Sequence, residues 1–140
     1  MLQRIQSVWL LLATACVFAG LNFPFYSGIN VSGEQQYVLK GTENILFMLL
    51  TVSIGLLSLI AIFIYKNRTV QLRLGIAAAL LQAGLIYLYY HYSHKVFLTS
   101  TYNTYALWAV FQPAALLFLI LAIMGIRRDN KIIKESNRLR

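Results

Sequence analysis

Four long stretches of the chain carry no charged side chain. The first runs from Ile5 to Phe23 and stops at Pro24, and the second runs from Asn44 to Tyr65 and stops at Lys66. The third spans Leu74 to Tyr90, and the fourth spans Tyr105 to Ile126, closed by Arg127 and Arg128. A bilayer core about 30 Å thick needs roughly 20 helical residues to cross it. The runs are continuously apolar rather than alternating, and they are too few to close a barrel, so helices are expected. The pattern predicts an all-α membrane protein: a four-helix transmembrane bundle over residues 1–126, with spans at about 5–23, 44–65, 74–90 and 105–126. A basic tail, 127–140, follows it.

Between the first two spans the pattern changes to period two. Tyr26 to Val31 and Gln36 to Lys40 are β-prone runs separated by Ser32-Gly33, which predicts a β-hairpin. Ile29 and Val31 would share one face, and Tyr37 and Leu39 another. Asn30-Val31-Ser32 matches the glycosylation triplet, a pattern frequent by chance.

Composition removes the soluble alternative. The chain has 140 residues, of which 59% are hydrophobic and 11% charged, with a mean hydropathy of +0.67. A soluble domain averages about 25% charged residues and needs them to cover its surface. Disorder is excluded by the same numbers, since it requires low hydrophobicity. The net charge of +8 is unevenly placed. Arg4, Lys66, Arg68, Arg73, Arg127, Arg128, Lys131, Lys134, Arg138 and Arg140 fall on one side of the predicted bundle, while Lys40 and Lys95 alone fall on the other. Basic loops stay in the cytoplasm. Both termini are therefore expected inside and the hairpin outside. Arg4 followed by an apolar run and Ala13-Thr14-Ala15 also resembles a signal peptide. Cleavage there would leave three spans and a chain starting in mid-membrane, so retention is expected.

Candidate chemistry is sparse. The four charge-free runs hold no Asp, Glu, Lys, Arg or His. Proton- and ion-coupled transporters need an ionisable group near the midplane. A membrane haem needs span histidines, and a metallohydrolase or intramembrane protease needs buried acid, base or metal ligands. All are disfavoured, no cofactor is implied and no catalytic residue stands out. Cys16 is the single cysteine, which excludes an internal disulfide or a C-x-x-C pair. His91 and His94 would share a helix face but lack a third ligand, so no metal site is expected.

What remains inside the spans is packing chemistry. Gln82 and the Gln112-Pro113 pair are the strongest polar features. A buried amide in lipid seeks a partner, so Gln82 is expected to bond Gln112 or a carbonyl freed by a kink at Pro113 in the outer third of the fourth span. A quinone or lipid pocket is the functional alternative at these residues. Gly75, Ala79 and Ala83 recur every four residues and suggest a close-contact face on the third helix, read as the shortest and most central of the four. Ser53, Gly55 and Ser58 form a looser version on the second. Eight of the nine tyrosines gather at the outer side, as an interfacial belt or as a binding face.

The tail should continue the fourth helix and bend along the inner surface. Ile126 and Ile133, with Ile132 and Leu139, give it a thin apolar stripe. Arg127 and Arg128 suffice as an anchor. Lys131, Lys134, Arg138 and Arg140 are additional, and they point to contact with anionic lipids or docking of a partner. No nucleic acid is expected, because aromatic stacking residues are missing from the tail.

The opening Met1-Leu2-Gln3-Arg4-Ile5-Gln6-Ser7-Val8-Trp9-Leu10-Leu11-Leu12 and the closing Arg128-Asp129-Asn130-Lys131-Ile132-Ile133-Lys134-Glu135-Ser136-Asn137-Arg138-Leu139-Arg140 resemble the ends of a family of small bacterial inner-membrane proteins catalogued as domain of unknown function 4293. The layout of four spans, a long first outer loop and a basic tail is similar throughout. The resemblance implies a bacterial inner-membrane location and transfers no catalytic residue. Two functions fit these residues. One is a non-catalytic accessory or scaffold subunit of an envelope complex, joined to another membrane protein or to its own copies. The other is a binder or carrier of a quinone or lipid near the outer leaflet.

Overall fold

The computed structural model describes residues 2–28, 37–42, 44–65, 67–96 and 104–138; the side chains of 2–4, 37, 96, 104 and 133–138 are outside the description. Helix α1 (Leu2–Asn22) leads into strands β1 (Pro24–Gly28) and β2 (Tyr37–Lys40). Helices α2 (Ile45–Phe63) and α3 (Arg68–Val96) follow, then a short strand β3 (Thr104–Tyr105), a 3₁₀ turn (Leu107–Val110) and α4 (Phe111–Arg138). All four helices are long and apolar enough to cross a membrane. The chain is a multi-pass membrane protein.

The helices form a closed ring in which α1 touches α2 and α4, and α3 touches α2 and α4. Each turns one seam inward. Thr14, Gly55, Ser93 and Ile123 are buried beside these seams, whose positions are Gln6, Leu10, Ala13, Val17 and Gly20 on α1, and Phe47, Thr51, Ile54, Ser58 and Ala61 on α2. On α3 they are Gln71, Gly75, Ala78, Gln82, Leu85 and Tyr89, and on α4 Gln112, Ala115, Leu119, Ala122, Ile126 and Asp129. All four seams alternate steps of three and four residues, the repeat that keeps one stripe of a helix facing its neighbours in a bundle. Much of the remaining apolar surface faces outward, including Leu49, Phe63, Leu80 and Leu117. That arrangement is stable only where the solvent is hydrocarbon.

Several boundaries differ from the sequence expectation. The third helix starts at Arg68 rather than Leu74 and ends at Val96 rather than Tyr90, which makes it, at 29 residues, the longest among the described residues. Counting charge-free residues truncates a helix whose ends carry Arg68, Arg73 and Lys95, side chains that reach water or a partner from within it. Nor is α3 central, since a ring has no centre. The close-contact face of Gly75, Ala79 and Ala83 is corrected as well. Gly75 is buried against Ile123, but Ala79 is half-buried and Ala83 is exposed. A strict four-residue step drifts around the helix, so Ala78 and Gln82 take the inward places. On α2, Gly55 and Ser58 face inward, while Ser53 is exposed and bonds the Leu49 carbonyl.

Pro113 lies in the first turn of α4, just after the 3₁₀ turn, and so does not kink a helix interior. A proline there sacrifices a donor that has no helical acceptor anyway. The fourth span is correspondingly shorter at its start and longer at its end. Ile126 and Asp129 are buried, so α4 remains part of the bundle beyond Arg127, where the tail was expected to leave it.

The hairpin is present. Strand β1 pairs antiparallel with β2, from Gly28 opposite Tyr37 to Pro24 opposite Lys40, with one extra residue on β1 between Pro24 and Tyr26. The strand begins at Pro24 rather than Tyr26. Ile29 to Gln36, including the Asn30 triplet, lie outside the described residues. Strand β3 adds to the other edge of β1 in the order β2-β1-β3, through Tyr26 opposite Tyr105, and was not anticipated. The sheet therefore ties the first and third loops together at one end of the bundle. The α2–α3 turn, the start of α1 and the end of α4 lie at the other.

Candidate functional site

Three polar ties cross the interior at different levels. At the end bearing the termini, the Gln6 side-chain amide donates to Asp129 Oδ2 at 2.6 Å, and Arg68 Nη1 lies 3.2 Å from the same oxygen. This joins α1, α3 and α4. Asp129 is 6% exposed, so its charge depends on these partners. Gly125 makes room for the approach: a Cβ there would sit 2.9 Å from Gln6 Cγ. The bundle thus contains a buried carboxylate, which the charge-free runs had excluded because the fourth was closed at Arg127. At mid-height the Thr14 and Ser58 hydroxyls are hydrogen-bonded at 2.7 Å, joining α1 to α2.

Nearer the sheet, Gln82 Nε2 on α3 donates to Gln112 Oε1 at 2.7 Å and to the Gln112 carbonyl at 3.1 Å on α4. The acceptor is thus Gln112 itself. Gly20 of α1 leaves the space that the Gln112 amide occupies. Replacing Gln82 by leucine strands the Gln112 side chain and should lower stability by about 1 kcal/mol, as interhelical amide bonds in membranes do. Denaturation in mixed detergent micelles measures it, and adding Gln112→Leu should recover part of the loss.

The sheet end is packed with rings. Tyr89 is fully buried, with Phe25 stacked on it at 4.6 Å and Phe47 tilted against it at 4.6 Å. Among the described residues Gln82 Oε1 is buried without a hydrogen-bond partner, and the Tyr89 hydroxyl is buried with Thr51 as its polar neighbour. A Cβ at Gly41 would approach that hydroxyl to 2.7 Å, so glycine is required there by space. Trp108 stacks on Phe23 at 4.3 Å, which seats the 3₁₀ turn against the end of α1. Tyr26 meets Tyr105 edge-on at 4.9 Å; burial, then the neighbouring Tyr105, raises the Tyr26 phenol above its ordinary pKa. His91 is exposed and stacks on Tyr87, and His94 is exposed and lies edge-on to Tyr90. Among the described residues no three of His, Cys, Asp and Glu converge as a metal site would require.

Beside this ring cluster runs an apolar groove of about 390 Å³ between α3 and the start of α4, roofed by the sheet. Ile86 and Tyr90 form one wall, Leu107, Val110 and Pro113 the other, and Phe25 and Tyr105 lie at the roof. Gln82 and Gln112 do not line it. Of the residues named from sequence, Pro113 and two of the outer tyrosines, Tyr90 and Tyr105, do so. Phe25 carries no such signal, because sheet pairing, not sequence proximity, brings it to Tyr105. Lys131 is exposed on α4. The side chains of Lys134 and Arg138, and Arg140 entirely, lie outside the described residues.

A ring of four membrane-spanning helices capped at one end by a small sheet defines the class of protein. Within it, the chain belongs to the family described as domain of unknown function DUF4293, whose model matches residues 2–139. No curated protein and no solved structure matches it.

Proposed function

We propose that this chain is a non-catalytic subunit of an envelope complex in a bacterial inner membrane, with both termini in the cytoplasm and the sheet outside. The observation that carries this reading is where the interior polar groups go. Gln6, Arg68 and Asp129 are spent on one another, as are Thr14 with Ser58 and Gln82 with Gln112. Side chains used as fasteners between helices serve a rigid scaffold. The orientation rests on the basic residues gathered at the terminal end. The partner is another membrane protein or a second copy, held with help from Lys131, Lys134, Arg138 and Arg140 and from anionic headgroups, which attract each such charge by about 1 kcal/mol.

The test is native purification in mild detergent. A protein retained at fixed stoichiometry is expected, and changing Lys131, Lys134, Arg138 and Arg140 to Gln should weaken its retention and flatten the salt dependence. A periplasm-dependent reporter fused after Arg140 should stay inactive in both forms. Purification of the chain alone would sink the scaffold reading, and an active reporter would reverse the orientation. A second reading, a binder of a lipophilic molecule, is favoured by the groove beside Phe25.

A further inference from the structure

We infer that the groove between Ile86, Tyr90, Val110 and Pro113 is a seat for one hydrocarbon chain of a phospholipid from the leaflet at the sheet end. The inference rests on the second reading of the function, not on the scaffold. Three observations carry it. First, the groove opens sideways from membrane-spanning helices. Its rim residues Leu107 and Val110 are 82% and 62% exposed at the start of a membrane-spanning helix, so what lies against them in a membrane is hydrocarbon, with Tyr90 at the headgroup end. At about 390 Å³ it falls within the size range of small-molecule sites, about 300 to 1,000 Å³.

Second, the lining is aliphatic and aromatic, with tyrosines as its only polar residues. Tyr90 and Tyr105 are amphipathic, and such rings sit where chain gives way to headgroup. Third, the last turn of α3 carries His94 and Lys95, both exposed, and His94 lies against the Tyr90 ring at 4.6 Å. One helical turn beyond Tyr90 on the same side of α3, the His94 imidazole stands at the end of the groove and can donate a ring N–H to a lipid phosphate. The roof is firm. Phe25, the extra residue of the β1 irregularity, is turned into the roof and held by its stack on buried Tyr89.

The experiment is native mass spectrometry of the full chain extracted from membranes in mild detergent, with dioleoylphosphatidylglycerol added back to delipidated protein as the probe. One phospholipid should remain per chain under activation that strips the others. Ile86→Trp fills the groove and should reduce that occupancy by at least about tenfold, the equivalent of losing a modest apolar contact area. Leu80→Trp places the same bulk on the same helix at an outward position that is 70% exposed, and should leave occupancy unchanged. Unfolding midpoints of both variants identify one that has simply lost its fold, and Ala109→Phe then serves as the second groove-filling change. Retention of no lipid at all would overturn both the inference and the binder reading. Retention unaffected by filling the groove would overturn the groove as the seat and leave the binder reading standing.

Discussion

Arg68→Ala is expected to lower stability by about 2 kcal/mol, because it leaves Asp129 charged and buried without its guanidinium partner. Removing one partner of a fully buried ion pair typically costs about 3–5 kcal/mol. The Arg68 side chain is 27% exposed against 7% for Asp129, so water already screens the pair in part and the lower figure applies. The effect belongs to the stranded charge and not to lost packing. Arg68→Ala combined with Asp129→Asn should therefore recover at least half of the loss, because a neutral amide can stay bonded to Gln6 without a counter-charge. Far-ultraviolet circular dichroism along a denaturing-detergent titration gives the four midpoints of the double-mutant cycle. Additive losses would mean that the two side chains do not depend on each other.

Gly55→Leu should be the most damaging single change in α2, at about 3 kcal/mol, near the upper end for overpacking a filled core. A Cβ at this position would lie 2.5, 2.9 and 3.0 Å from three atoms of the Phe18 ring, the first two closer than real contacts allow. An aromatic ring wedged between α1 and α2 cannot bend away as the end of a flexible chain can. Gly84 provides the control. It lies on α3 with open space where a Cβ would go, so Gly84→Ala should be neutral or stabilising by about 0.5–1 kcal/mol through helix propensity alone. Phe18→Ala in the Gly55→Ala background should relieve the clash. If Gly55 and Gly84 respond alike, helix propensity and not the α1–α2 contact governs the site.

The sequence by itself determined the number of helices, because bilayer thickness fixes how long an uncharged run must be. It also located the hairpin strands, because a period-two pattern and a Ser-Gly pair between two β-prone runs are local signals. It singled out Gln82 and Gln112, since an amide surrounded by apolar residues is conspicuous. It could not say which face of each helix turns inward. In water that face is the apolar one and hydropathy betrays it, but lipid is as apolar as a protein core. The inward seams here are marked instead by small and polar residues at alternating steps of three and four, such as Gln6, Ala13 and Gly20 on α1. Read as packing positions, those residues carry a signal that hydrophobicity does not. Only the tertiary structure decided that Asp129 belongs inside. Its burial depends on Gln6 and Arg68, which lie far from it in sequence and reach it only after the ring closes. The groove was decided the same way: its roof exists because β3 pairs with β1, and a two-residue strand has no sequence signature apart from the partner that pairs with it.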